Sequence, residues 1–157
     1  MNKKEIKRPS WDETFIKTAI EISKRSHDAQ TQVGAILVAQ TNEVISAGYN
    51  GYVRNIKDEI LPNLRPDKYP WMIHAEHNAI LNCARQGIST LNTRAYITCN
   101  PCLYCLQYMY QSGVKEIIYA EISPVHMVDN DKKYDSNITT FLKLTEDKFT
   151  LRKFQKT

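Results

Sequence analysis

Two short stretches of this 157-residue chain carry residue types able to do chemistry together. The first is His74-Ala75-Glu76. The second, 27 residues after His74, is Pro101-Cys102-Leu103-Tyr104-Cys105. One imidazole and two thiolates form a donor set suited to Zn²⁺, and three protein ligands leave a fourth position for water or substrate. A metal held this way lowers the pKa of water to ~7, so a nucleophile is available at neutral pH. Glu76 is not needed to hold the metal. Two residues from a ligand, its carboxylate is placed to take a proton from water and pass it to a reacting group. The spacing therefore predicts His74, Cys102 and Cys105 as ligands of one catalytic Zn²⁺ per chain and Glu76 as the catalytic proton carrier.

Cys-x-x-Cys alone also occurs in redox sites and in closed structural zinc sites, and the latter need a fourth protein ligand. Cys99 and Cys83 are the other two cysteines that could fill that place. Cys99 ends the strand-like run Ala95-Tyr96-Ile97-Thr98-Cys99, and Cys83 lies on a helical stretch seven residues beyond Glu76. Free cysteine is among the most buried residue types, and core packing is the expected role of both.

The elements that must position these groups are legible from periodicity and breakers. Ser10 with Glu13 forms a capping-box pattern, and apolar residues at helical spacing predict a helix over 11–26. Residues 33–38 and 44–48 read as two antiparallel strands joined by a turn at Thr41-Asn42. Residues 51–73, with Pro62, Pro66 and Pro70, form a long connection of the kind that carries function. A helix over 75–86 ends at Gly87, a strand covers 94–99, and a helix over 101–112 starts with Pro101 and stops at Gly113. A strand over 115–120, a short helix over 137–145 and a strand over 149–154 complete the set. Strands alternating with helices predict an α/β fold with helices on both faces of a mixed, five-stranded sheet. The ligands then sit at two helix N-termini, whose partial positive charge favours thiolates.

Composition sets the class. The chain is 42% hydrophobic and 24% charged, as expected for one globular domain over 1–157. No apolar run approaches the ~20 residues of a membrane span, and the N-terminus has no apolar stretch of a secretory signal. Cysteine use in a metal motif favours a reducing, cytoplasmic setting. The net charge of +4 is spread along the chain, without the basic stripe of a nucleic-acid-binding protein.

His-x-Glu followed by Pro-Cys-x-x-Cys is the combination found in zinc nucleobase deaminases. The chain resembles, over residues 10–155, the deoxycytidylate (dCMP) deaminases of the cytidine deaminase-like superfamily. The narrower likeness rests on Gln32-Val33-Gly34-Ala35 with Gly48-Tyr49-Asn50-Gly51, on Lys68-Tyr69-Pro70 ahead of the His74 motif, on Gln111 to Ile118, and on Lys133-Tyr134-Asp135-Ser136. The resemblance implies a three-layer α/β/α cytidine deaminase-like fold and hydrolysis of dCMP to dUMP and ammonia. It also implies substrate contacts from Asn50, Ala75 and Tyr134. Asn50 could instead be a turn residue supporting Gly51, and Tyr134 an ordinary half-buried tyrosine. Many members are homohexamers activated by dCTP and inhibited by dTTP. Effectors, with Mg²⁺ on the triphosphate, are then expected at Gly48, Tyr49 and Gly51.

Two departures fall close to that region. Asp28-Ala29-Gln30-Thr31 stands where the family has Asp-Pro-Ser-Thr, and Tyr52-Val53-Arg54 follows Gly51 in place of a small residue and Pro. Residues 51–73 contain no Cys or His, so no second zinc is expected there. His77 is expected at the surface or just behind the ligands, and His27 and His126 in ordinary surface or loop positions. Arg54, Arg65 and Lys133 flank the family-like segments and are candidate partners of a 5′-phosphate. Rival functions are deamination of another base, such as a modified cytosine nucleotide, cytidine or a tRNA adenosine, and a non-catalytic nucleotide-binding role. Intact Glu76 argues against the last.

Overall fold

A computed structural model describes residues 6–122 and 131–156, with side chains of the last helix described from Ser136 onward. The helices are α1 (Trp11–Ser23), α2 (Ala75–Gln86), α3 (Leu103–Gln111) and α4 (Asp131–Leu144). The strands are β1 (Gly34–Val38), β2 (Val44–Tyr49), β3 (Arg94–Ile97), β4 (Glu116–Tyr119) and β5 (Thr150–Lys153). They form one sheet in the order β2-β1-β3-β4-β5. β1 is antiparallel to both β2 and β3, whereas β3–β4 and β4–β5 are parallel, so the sheet is mixed as expected.

Strand periodicity divides the core in two. Ile36, Val38, Tyr96 and Ile118 face α1 and pack on Phe15, Ile16 and Ala19. Their neighbours Ala35, Leu37, Ala95, Ile97 and Ile117 face the other way, onto Ala75, Ala79 and Cys83 of α2 and Leu106 and Met109 of α3, with Ile138 of α4. The result is the three-layer α/β/α arrangement. A polar lock closes the α1 side. Tyr96 Oη donates to Asp12 at 2.8 Å, and Arg152 bridges Asp12 at 2.8 Å and Glu116 at 2.7 Å. No helix among the described residues is long and apolar enough to cross a membrane.

Most boundaries fall within one or two residues of the sequence reading, and the exceptions have local causes. α1 stops at Ser23 rather than 26 because Ser26 leaves the helix, donating its hydroxyl to the Asn50 carbonyl at 2.7 Å. The capping box is half made: the Ser10 hydroxyl accepts from Glu13 N, but the Glu13 carboxylate pairs with Lys17 at 2.9 Å. Pro101 is not the first helical residue; Cys102 is the cap of α3, and the helix begins at Leu103. α4 starts six residues before the expected position because the polar residues 131–136 contain no breaker.

α2 follows His74 and carries Glu76, and β2 holds it. Ser46 Oγ donates to the Ala79 carbonyl at 2.7 Å, and Asn78 and Asn82 donate to the Tyr49 and Ala47 carbonyls at 2.8 and 2.7 Å. Gly48 makes this closeness possible. A Cβ there would meet Ala75 O at 2.3 Å and Ala79 N at 2.4 Å.

Candidate active site

The expected ligands converge where the start of α2 meets the start of α3. His74 is the cap residue of α2, with extended backbone (φ −67°, ψ 152°) and no side-chain cap bond, which leaves its ring free to turn toward the cysteines. His74 Nδ1 lies 3.7 Å from Cys102 Sγ and 3.4 Å from Cys105 Sγ. A tetrahedral centre with Zn–S near 2.3 Å and Zn–N near 2.0–2.1 Å separates its ligand atoms by about 3.5–3.8 Å. The three donors therefore fit Zn²⁺ in both chemistry and spacing. Among the described residues, no other group of His, Cys, Asp and Glu side chains gathers its ligand atoms in this way.

Helix ends tune the donors. Cys102 Sγ accepts from Cys105 N at 3.5 Å, so a thiolate here caps α3. The side-chain hydrogen bond with Cys105, ahead of that with His74, outweighs burial and holds the Cys102 thiol well below its ordinary range. Glu76, the second residue of α2, is only 2% exposed. Burial pushes its carboxyl above the usual range, although the charge of His74 pulls the other way. A buried carboxyl beside the donors, made more basic by its surroundings, suits a group that must accept and then return a proton.

Cys83 and Cys99 stand outside the donor set. Cys83 packs in the core at 1% exposure; Cys99 is 5% exposed, and burial holds its thiol well above the ordinary range. Cys99 also lines the cleft, a position its strand-like context did not reveal. His77 is half-buried with its ring edge-on to Tyr108, centroids 4.3 Å apart, and 6.2 Å from the His74 ring. That places it behind the ligands.

The cleft beside the donors holds about 730 Å³ of space, partly open to solvent. His74, Ala75, Glu76 and Cys102 line one part of it; Asn50, Thr31, Arg65 and Lys68 line another. Asn50 is buried, and its amide is largely committed to the protein: Oδ1 accepts from Val33 N at 2.8 Å, and Nδ2 donates to Thr31 O at 2.8 Å and Asp28 Oδ2 at 3.3 Å. One Oδ1 lone pair is left for a ligand hydroxyl. Asn50 thus has a structural role and also faces the cleft.

Three features of this wall were not foreseen from sequence. Lys68, read only as part of a family-like tripeptide, is 2% exposed and donates to both carboxylate oxygens of Asp28 at 2.6 and 2.7 Å. Asp28 also accepts from Gln30 N and Thr31 N, so the altered Asp28-Ala29-Gln30-Thr31 segment still forms a side-chain-capped turn. Burial alone would raise the Asp28 carboxyl; the Lys68 bond and the two backbone bonds more than reverse this and hold it low. Asn100 Oδ1 is buried in the cleft wall without a partner among the described residues. Lys68 and Asp28 are 40 positions apart, and no local spacing signals such a pair.

A second depression of about 670 Å³ is lined by Gly48, Tyr49, Gly51, Tyr52, Arg54 and His27, among others. This is the segment expected to meet effectors. Gly48, however, is explained by the approach of α2, whereas a Cβ on Gly51 would meet nothing nearer than the Tyr49 ring at 3.8 Å. The Tyr134 and Lys133 side chains and His126 lie outside the described residues.

Comparison with known proteins agrees with the geometry. The family described as "Cytidine and deoxycytidylate deaminase zinc-binding region" matches residues 9–121. A probable deoxycytidylate deaminase of Drosophila melanogaster is 38% identical over 120 residues, 69% of this chain and 58% of that protein. The deoxycytidylate deaminase of Homo sapiens is 33% identical over 152 residues, 92% of this chain and 79% of that protein. Among solved structures, the dCMP deaminase of cyanophage S-TIM5 in complex with dCMP and dUMP superposes with a TM-score of 0.72 at 25% identity, covering 95% of this chain and all of that one. With the ligand geometry, the matched motif and relatives of this extent, the chain belongs to the cytidine and deoxycytidylate deaminase zinc-binding family.

Proposed function

We propose that this protein hydrolyses dCMP to dUMP and ammonia, with residues 1–157 acting as one domain. The observation that carries it is the three-donor cluster with the buried, non-ligating carboxylate of Glu76 next to it. Relatives named deoxycytidylate deaminase and a fold neighbour solved with dCMP and dUMP support the choice of substrate.

Zn²⁺ held by His74, Cys102 and Cys105 would supply Lewis acidity and an acidified water. The remaining work falls to the chain. Glu76 takes a proton from the attacking water as oxygen adds to C4 of cytosine and delivers it to the ring nitrogen N3. It then takes the remaining proton from the new C4 hydroxyl and passes it to the amine, which leaves as ammonia as the C4–N bond breaks and the C4 carbonyl forms. Ala75 supports the base from the start of α2. Asn50 offers its spare Oδ1 lone pair to a sugar hydroxyl, and Tyr134 contributes to the pocket. The second depression at Gly48, Tyr49 and Gly51 receives dCTP or dTTP with Mg²⁺ in a homo-oligomer, most simply a hexamer. The activator must bind the active conformation more tightly, because a ligand without differential affinity shifts nothing.

A panel of cytosine nucleotides and nucleosides, followed by loss of cytosine absorbance with zinc-loaded protein, tests the substrate. dCMP should exceed deoxycytidine in kcat/KM by orders of magnitude. Equal turnover would place the protein with nucleoside deaminases. Rates against dCMP with each triphosphate test regulation, and a hyperbolic curve unmoved by either would remove the effector site.

A further inference from the structure

The cleft is lined by two cations, and they are not equivalent. Lys68 Nζ sits on both oxygens of Asp28, so its charge is neutralised inside the wall. Arg65 has no carboxylate within ion-pair distance among the described residues. One Nη donates to the Thr31 hydroxyl, its backbone N–H donates to Gln30 Oε1 at 3.1 Å, and its Nε is buried with no partner among the described residues. A planar guanidinium with unsatisfied donors is built for two-point recognition of a phosphate.

Its place along the cleft fits a nucleotide. Asn50 donates to the Thr31 carbonyl, and the Thr31 hydroxyl accepts from Arg65. At the other end, Gly51 exchanges backbone hydrogen bonds with Ile73, which sets Asn50 beside the His74 segment. The order is therefore donor cluster, Asn50, Thr31, Arg65, which parallels base, sugar, phosphate. The other basic residues near family-like segments do not compete among the described residues. Arg54 donates to Asn82 Oδ1 at 2.5 Å and lines the second depression instead.

We propose that Arg65 is the anchor of the substrate's 5′-phosphate, gripping it through two N–H groups of its guanidinium while Thr31 and Gln30 hold the arginine in place. This rests on the nucleotide deaminase function proposed above. Arg65 comes from the long loop and from outside every motif that places the chain in its family.

The test compares zinc-loaded wild type with R65Q and R65K, after zinc content and Tm show that each is folded. Loss of two charge-assisted hydrogen bonds should lower the ratio of kcat/KM for dCMP to that for deoxycytidine by about 10²-fold in R65Q, and less in R65K, which keeps the charge. A ratio equal to wild type, whether both rates hold or both fall together, overturns the proposal. Calorimetric titration with inorganic phosphate reads the same site without turnover. If wild type binds phosphate and R65Q does not, Arg65 stands even should wild type fail to deaminate dCMP, and only the proposed reaction falls. Phosphate binding that is equal in the two proteins, or absent from wild type, overturns it.

Discussion

Among single residues, Glu76 carries the sharpest expectation. Glu76→Gln preserves shape and the ligand set but cannot cycle a proton, so zinc content and Tm should stay near wild type while kcat falls ~10²–10⁴-fold or more. An active, zinc-replete mutant would remove Glu76 from the chemistry. The cysteines separate by place: Cys102→Ala and Cys105→Ala should lose metal and activity together, and Cys99→Ser should keep about one zinc per chain by elemental analysis. If Cys99→Ser emptied the site, the donor set would have a fourth protein member. At this scale the sequence was clearest where chemistry demands fixed spacing. His74, Glu76, Cys102 and Cys105 could be placed because a metal ligand set tolerates few residue types. Asn100 could not, because an orphan oxygen is defined by the absence of a neighbour, and no local pattern encodes that.

Elements decide whether those residues meet. The hydrogen-bonded contact of α2 with β2 depends on Gly48, so Gly48→Ala should push the helix off the strand. A destabilisation of ~1–3 kcal/mol is expected from overpacking, with weakened zinc retention because His74 caps that helix. Gly51→Ala, whose Cβ would make only an ordinary contact with the Tyr49 ring, should leave Tm nearly unchanged; equal losses in the two variants would contradict the packing account. Lys68 and Asp28 give a second test. Removing one member of a buried pair costs about 3–5 kcal/mol, so Lys68→Met should be more damaging than Asp28→Asn combined with Lys68→Met. Because the folded state holds Asp28 low, its contribution is present above the usual carboxylate range and is lost as pH falls through the folded value. The Tm gap between wild type and the double variant should therefore narrow in acid, and a gap constant with pH would show that the pair adds no linked stability. Helix and strand types were readable because period 2 and period 3.6 differ, and Gly87, in the left-handed region at φ 67°, marked the end of α2 as expected. The start of α3 was misplaced because Pro101 fits a first helical position equally well in isolation; Cys102 takes the cap because its sulfur accepts from Cys105 N.

For the molecule as a whole, alternation of elements was enough to give helices on both faces of the sheet, and the hairpin at its start gave the antiparallel pair. Neither gave the cleft, whose far wall is a 23-residue connection, 51–73, closed at its base by Gly51 and Ile73, which exchange backbone hydrogen bonds at 3.0 and 2.8 Å. The Lys68–Asp28 bond ties that connection to the chain before β1, and both groups are nearly free of solvent. This ion pair has a kinetic consequence. A wall bolted in place before any ligand arrives has little ordering left to do, so encounter rather than rearrangement should limit association. Stopped-flow mixing with dUMP should give a single phase whose rate rises linearly with concentration, and a rate that saturates would mean that the wall must first let go of Asp28.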